Sequence, residues 1–367
     1  MTTRRGFLTV LGGVAVAATG VGTFRAVTQG VFAGPTGEAY AAWDAWNPPG
    51  DDVLGMVSAA VLAANAHNSQ PWLFRVSPDR VDVVADTSRW IGAMDPLYRE
   101  MQISLGCAVE NLALAAGGRG RTPTVEPHPG GAIVHLGRGT VDSPLYRAIP
   151  HRHTNRAAYA PEPVDLDPFT AMSDDVVQVV WVDKARFTDL TVRATEAIIA
   201  DREQTTDDFA WYRGERADLR AHKDGVTIDA SGQPDLIRAV GKILPASHDT
   251  NNSTWLASTR DVQLPTAAAV GTLVVKDPLD PVQRMRAGRL WQRMHLWATT
   301  QGLAMQPINQ VEERIDREHA TGQQPTFGTE MRALVPPNTH PVFSFRVGYP
   351  KYDATPSPRR PAQEVLR

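Results

Sequence analysis

The chain has 367 residues, too many for one small domain and suited to two domains or to one large unit built from two repeats. Hydrophobic residues make up 42% and charged ones 21%, ample for a core, and the net charge of −3 provides no broad cationic surface for a nucleic-acid backbone. A lone cysteine, Cys107, excludes an intramolecular disulfide and a multi-cysteine metal cluster, and its apolar, helix-like surroundings mark it as a small core residue.

Residues 1–33 read as a targeting segment. Thr3-Arg4-Arg5-Gly6-Phe7-Leu8 looks like a twin-arginine motif and is followed by an apolar run to about Gly22. The run falls short of the roughly 20 residues that span a bilayer, and an ordinary anchor helix is the competing reading. Ala33 is a loose cleavage candidate, so release and retention at the membrane by an uncleaved signal both stay open. The expected location is extracytoplasmic, in the periplasm or cell envelope.

Residues 34–52 form a Gly/Pro-rich linker containing Trp43 and Trp46. Helical spacing then predicts helices over Val53–Ala66, Met101–Ala116, Phe187–Glu203 and Val282–Thr300. Strands are predicted at Trp72–Val76, Val81–Ala85, Gly130–Leu136, Val176–Val182, Val270–Val275 and Pro341–Val347. Between them, residues 207–252 are polar and weakly periodic, with Trp211 and Tyr212. Helices and strands mix without regular βαβ alternation, which favours α+β.

One pattern recurs at a shift of about 182 residues. Asp95-Pro96, Gly106, Leu112, Leu114, Ala116 and Gly120 fall on Asp277-Pro278, Gly288, Met294, Leu296, Ala298 and Gly302. In each copy a strand end and turn lead into a helix closed by a glycine. Such a duplication packs naturally as a pseudo-dimer, with repeat one at 53–144 and repeat two at 145–367.

Four constellations could carry chemistry. Asn65-Ala66-His67-Asn68-Ser69-Gln70-Pro71-Trp72 sits where a helix gives way to a strand. Asn68 offers a donor and an acceptor to a flat heterocycle, and equally suits a plain helix-ending turn stopped by Pro71. In an extended Arg152-His153-Thr154-Asn155-Arg156, positions 152, 154 and 156 share a face with two guanidiniums and a hydroxyl, suited to phosphate. A solvated basic turn is the alternative, and His151 with His153 lacks a third metal ligand of obvious spacing. Pro307-Ile308-Asn309-Gln310 follows the second repeated helix. The tail carries Gly348-Tyr349-Pro350 and Ser357-Pro358-Arg359-Arg360-Pro361, whose arginines stand beside stiffening prolines.

With these residues the chain resembles the nitroreductase superfamily, most closely its tandem-repeat Acg-type branch, over roughly residues 40–367. The family's Pro-Ser-x-x-Asn-x-Gln-Pro-Trp motif lies on Ala64 to Trp72, with Asn68, Gln70, Pro71 and Trp72 matching. Its Arg-x-Ser-x-Lys/Arg motif lies on Arg152, Thr154 and Arg156, and its Pro-x-Glu-Gly loop on Pro307 to Gln310. Its terminal phosphate grip lies on Arg359 and Arg360. Ala64-Asn65 replaces Pro-Ser and Asn309-Gln310 replaces Glu-Gly, so one hydroxyl contact and the loop's charge differ from the family.

The resemblance implies a tandem nitroreductase-like fold around one FMN. Arg152 with Arg359 or Arg360 would neutralise the phosphate, and Arg156 would stabilise charge on the reduced flavin. The Pro307–Gln310 backbone would orient N5. Repeat one has only the Asn-Gln-Pro-Trp turn and repeat two only the arginine motif, loop and tail, so one complete site per chain follows. Two functions are compatible with this. One is an FMN oxidoreductase acting on a nitroaromatic, quinone-like or other conjugated small-molecule acceptor. The other is an FMN storage protein in which residues 207–252 cover the flavin as a lid. Export would leave the usual NAD(P)H donor scarce, and the sequence names no replacement. A monomeric pseudo-dimer is the expected assembly.

Overall fold

The structure is a computed structural model describing residues 28–31, 34–50, 53–139, 143–244 and 247–367; the twin-arginine motif and Ala33 lie outside them. The Ala-rich stretch after the linker is helical only over Val53–Ala60 (α1), shorter than its periodicity predicts. Side chains end it: Gln292 Oε1 accepts Ala64 N at 3.1 Å, and Asn65, with extended backbone, accepts Gln70 N at 2.8 Å. Strands β1 (Trp72–Ser77) and β2 (Arg80–Ala85) then form a tight hairpin. Asp95 accepts the backbone N–H groups of Glu100 and Met101 and starts the 20-residue helix α2 (Arg99–Gly118).

A second hairpin, β3 (Arg121–His128) and β4 (Gly131–Arg138), completes a four-stranded antiparallel sheet in the order β1-β2-β4-β3. Strand β3 escapes a hydrophobicity reading because Pro123 and Pro127 interrupt it. It lies at the sheet edge, where missing N–H donors are tolerated.

The second repeat builds the same order, β5-β6-β8-β7, from β5 (Gln178–Trp181), β6 (Ala269–Val275), β7 (Ala304–Pro307) and β8 (His340–Gly348). Both connections that are tight turns in the first sheet are long excursions here. Residues 182–268 separate β5 from β6 and hold α3 (Lys184–Ala200), α4 (Arg202–Phe209), α5 (Arg216–His222), α6 (Asp235–Ile243) and α7 (His248–Ser258). The region read as weakly periodic is therefore largely helical. Helix α8 (Pro281–Thr300) precedes β7, and α9 (Gln310–Thr321) lies between β7 and β8. The architecture is α+β, a tandem of two sheet-and-helix units with the same strand order.

Helices α2 and α8, each 20 residues long, cross at the two equivalent glycines. A Cβ on Gly106 would lie 2.1 Å from Met285 O, and one on Gly288 would lie 2.0 Å from Ile103 O. Position 103 is related to 285, and 106 to 288, by the repeat shift, so the contact is self-complementary. Glu110 binds Arg289 (3.0 Å) and Arg293 (2.8 Å) beside it, and Gln292 donates to Asn111 at 2.8 Å. Cys107 is buried here with its thiol directed at Gly288 O. One apolar core, including Val57, Leu105, Leu112, Trp291, Leu296 and Phe345, joins the two units.

Gly288→Val should push the helices apart and cost about 2–3 kcal/mol as overpacking. Gly120→Ala, with φ +77 but nothing within 4 Å, should cost only about 1 kcal/mol. Urea unfolding midpoints of the two variants check the ranking.

Candidate cofactor site

The turn after α1 holds three non-glycine residues in the left-handed region, His67, Asn68 and Gln70 (φ 49, 55 and 54). Each such residue costs on the order of 1–3 kcal/mol and persists where its surroundings over-determine it. They do so here. Asn68 Nδ2 donates to Pro358 O at 2.9 Å and to Gly225 O at 3.2 Å, while its Oδ1 accepts from Arg359. Gln70 Nε2 donates to Lys223 O (2.9 Å), and its Oε1 accepts Arg360 N (2.8 Å). His67 Nε2 meets Asp208 Oδ1 at 2.7 Å.

The turn forms one wall of a cavity of about 450 Å³, solvent at its mouth included. Asn68 comes from the first repeat; Arg152, Thr154, Arg156 and Arg359 come from the second. Trp43 of the linker closes one side, and Gly225, Val226 and Ala230 of the long excursion close another.

The arginines have few partners. Arg152 donates to Leu62 O (3.1 Å) and faces His295 Nδ1 (3.4 Å); Arg359 donates to Pro358 O (2.9 Å), Ala63 O (3.2 Å) and Asn68. The buried Nε of each has no partner among the described residues, and no carboxylate there pairs with Arg152, Arg156 or Arg359. Burial lowers the Arg152 pKa to about 10. Burial and then the Arg152 charge push Arg359 well below the usual arginine range. Guanidiniums stay charged in proteins, so two of them buried without a counter-charge form a site that demands an anion. A phosphate, with several acceptor oxygens, suits both free Nε groups.

His153 lies between these cations, its ring edge-on to Trp43 at 4.5 Å. Burial, then Arg152 and Arg359, lower its pKa to about 3, so it stays neutral instead of becoming another cation. The Arg359 guanidinium stands 5.2 Å over the Trp43 ring. Trp43 and His295 were not among the sequence-derived site residues, whereas Gly225, Val226 and Ala230 fall within the 207–252 stretch read as a lid. The tryptophans of a Gly/Pro-rich linker were the available clue to the first.

Other sequence-derived site residues lie elsewhere. Gln70 and Arg360 form a clasp between turn and tail, Arg360 also donating to Gln70 O at 2.7 Å, and neither lines the cavity. Pro307 ends β7, and Ile308 N donates to Ser344 O (2.8 Å). Asn309 donates to Glu100 Oε1 and accepts Ser344 N, both at 2.9 Å, and Gln310 opens α9. That loop, outside the cavity lining, joins an acidic neighbourhood around Arg99, where burial pushes Glu312 up to about 7.

His153 predicts a pH dependence. Its folded pKa (about 3) is below its ordinary value (6.5), so the unfolded chain takes the proton first and stability falls as pH drops through that window. His295, lowered by burial, acts in the same sense. His67 acts in the opposite one, because Asp208 raises its pKa against the larger effect of burial. His153→Gln should flatten the acid-side loss in urea unfolding measured from pH 6.5 downward.

No family model matches the chain. Two Mycobacterium tuberculosis proteins, each named "Putative NAD(P)H nitroreductase" (MT3217 and Rv3131), are 25% identical over 347 residues. The alignment covers 90% of this chain and 94% of theirs. Among solved structures, the FMN- and NADPH-dependent nitroreductase NfnB from "sphigopyxis sp. strain HMH" aligns over 61% of this chain and 98% of its own, at 18% identity and TM-score 0.38. A nitroreductase with bound FMN from Desulfitobacterium hafniense DCB-2 covers 62% and 98%, at 14% identity and TM-score 0.36. The chain is thus similar from end to end to two mycobacterial proteins that carry the nitroreductase name.

Proposed function

We propose that this chain is an FMN-dependent oxidoreductase of the Acg-type tandem branch, holding one FMN in the cavity between its two repeats. It would pass two electrons, as hydride, to a nitroaromatic, quinone-like or other conjugated acceptor. The observation that carries this reading is the buried, carboxylate-free pair Arg152 and Arg359, closed by Asn68 from the other repeat. The names of the two mycobacterial relatives support the reaction class.

When bound, FMN supplies the hydride chemistry. Arg152 and Arg359 would hold its phosphate through the unpartnered Nε groups, with the Thr154 hydroxyl beside them. Arg156, half-buried, adds a third cation to the same cavity and favours ligands that carry or gain negative charge. Trp43 and the 225–230 segment exclude water. The two repeats, 53–144 and 145–367, would act as a pseudo-dimer in which each keeps a different part of the site. The twin-arginine motif supports export after folding, with the electron donor outside the cytoplasm still to be identified.

A second reading has one observation in its favour. Arg156 Nη1 donates to Ala230 O at 3.1 Å, and Asn68 donates to Gly225 O, so the excursion closes directly on motif residues. A cover this tight suits FMN storage as well as turnover. Stopped-flow mixing of the yellow protein with reductants and acceptors separates them: bleaching and reoxidation within seconds rejects storage, and failure with every pair rejects catalysis.

Arg152→Ala and Asn68→Ala should each weaken FMN binding, although they lie in different repeats. Losing a hydrogen bond to a charged group, about 1.5–3 kcal/mol, corresponds to roughly 10–150-fold for Arg152→Ala. Flavin extraction and titration with FMN measure it. Full occupancy and unchanged affinity in Asn68→Ala would overturn the joint site.

A further inference from the structure

Helix α6 is amphipathic in the inverted sense. At 100° per residue, Leu236, Ile237, Val240 and Ile243 form one stripe, with Leu244 following at the C-cap, and Asp235, Arg238 and Lys242 lie opposite. A surface helix normally turns its stripe to the core. Here Leu236 is 64% exposed, Leu244 47% and Ile237 39%, whereas the Lys242 side chain is only 11% exposed. The charged face is the one fastened to the body, with Lys242 Nζ 2.8 Å and Arg238 Nη1 3.9 Å from Asp229 Oδ1. Ion pairing, not apolar burial, sets the helix's rotation and presents the aliphatic stripe to the outside.

The place of α6 says what covers that stripe. Gln29 accepts Arg216 N at 2.8 Å and donates to Glu215, pinning the start of the described chain to the start of α5. Gln29, Gly30 and Thr36 share one surface cleft with Arg216, Asp229 and Lys242. The chain therefore enters the body beside α6. Residues 6–24 carry no charge, and only three residues lie between Phe24 and Thr28, at most about 14 Å of extended chain. The uncharged run thus ends a short length of chain before the cleft that Gln29 shares with Lys242 of α6.

We infer that the outward face of α6, Leu236, Ile237 and Leu244, is a docking surface for the lipid bilayer that also receives the N-terminal apolar segment. The form is that of an interfacial helix, with aliphatic residues entering the headgroup boundary. The surface is continuous with the cover of the cofactor cavity. Ala230, which accepts from Arg156, precedes α6 by a few residues, and a Cβ on Gly232 would lie 2.4 Å from the Arg156 carbonyl carbon. Docking would place that cover against lipid. The inference rests on residues 1–33 being membrane-directed and not on flavin chemistry.

The test uses the full chain, because its only cysteine is buried. Leu244→Cys, and as control Asp79→Cys in the exposed β1–β2 turn, are labelled with a polarity-sensitive nitrobenzoxadiazole dye and mixed with phosphatidylethanolamine–phosphatidylglycerol vesicles. The expected result is co-flotation, with several-fold brighter, blue-shifted emission at position 244 and none at 79. Adding Leu236→Gln and Ile237→Gln should remove that response while co-flotation through the N-terminal segment persists. Three outcomes overturn the proposal: no co-flotation, a silent label at 244 on a co-floating chain, or emission already blue without lipid, which identifies the chain's own apolar segment or a second copy as the occupant.

Discussion

The close approach of two backbones, Gly106 on Met285 and Gly288 on Ile103, is the constraint on which the remaining arrangement depends. Only residues without a Cβ permit it, and it fixes the rotation of α8 about its own axis. That rotation sets Gln292 and His295, three apart, side by side on one face. Gln292 accepts the backbone of Ala64 where α1 ends, and His295 faces Arg152. One helix of the second repeat therefore holds both the turn of the first and the arginine segment. The cavity lies between repeats because the glycine crossing brings these two faces together.

The electrostatics of the cavity follow from what the crossing buries. Arg152 and Arg359 are tied to backbone carbonyls at Leu62, Ala63 and Pro358, which fix their direction but carry only partial charge. Removing such a group from water costs several kcal/mol that carbonyl dipoles offset only in part. His153 would be the obvious proton sink in that field, and it is driven to remain neutral. Carboxylates are not scarce in the molecule. Glu100, Glu312 and Asp316 gather around Arg99, on the side of the Pro307–Gln310 loop. The two excesses of charge stay apart, which leaves the positive one for an incoming anion.

The parts legible in the sequence are those where a local requirement leaves a residue-level mark. The crossing demands glycine at both positions, and the helix ends demand left-handed glycines at 120 and 302, so the duplication could be read from spacing alone. The arginine segment was legible because alternate positions of an extended chain face one way, and Arg152, Thr154 and Arg156 do line one cavity. Strand β3 was not, because its prolines are tolerated only by its edge position. The excursion was not, because its best-patterned helix, α6, faces outward and is held by Asp229. Nor could the sequence say that Gln70 and Arg360 bind each other instead of lining the cavity, since their partners lie far apart in the chain.

The two repeats have diverged at their hairpins, and this bears on how many cofactors the chain can take. A uniform shift of 182 places the counterpart of the Asn68 turn at residues 246–254. In the structure that position falls at α7, inside the excursion between β5 and β6. The shift holds from Asp95 to Gly120 but fails before it, because residues 182–268 interrupt the second repeat and the corresponding hairpin of the first is a tight turn. By topology the counterpart is the segment entering β5, Ala171 to Val177, which contains no Asn-x-Gln-Pro-Trp and accepts no arginine from the tail. The proposed count of one FMN per chain thus survives the corrected alignment on different grounds. The excursion that displaced the register is also the one that covers the remaining cavity, so the asymmetry that would remove one site supplies the lid of the other.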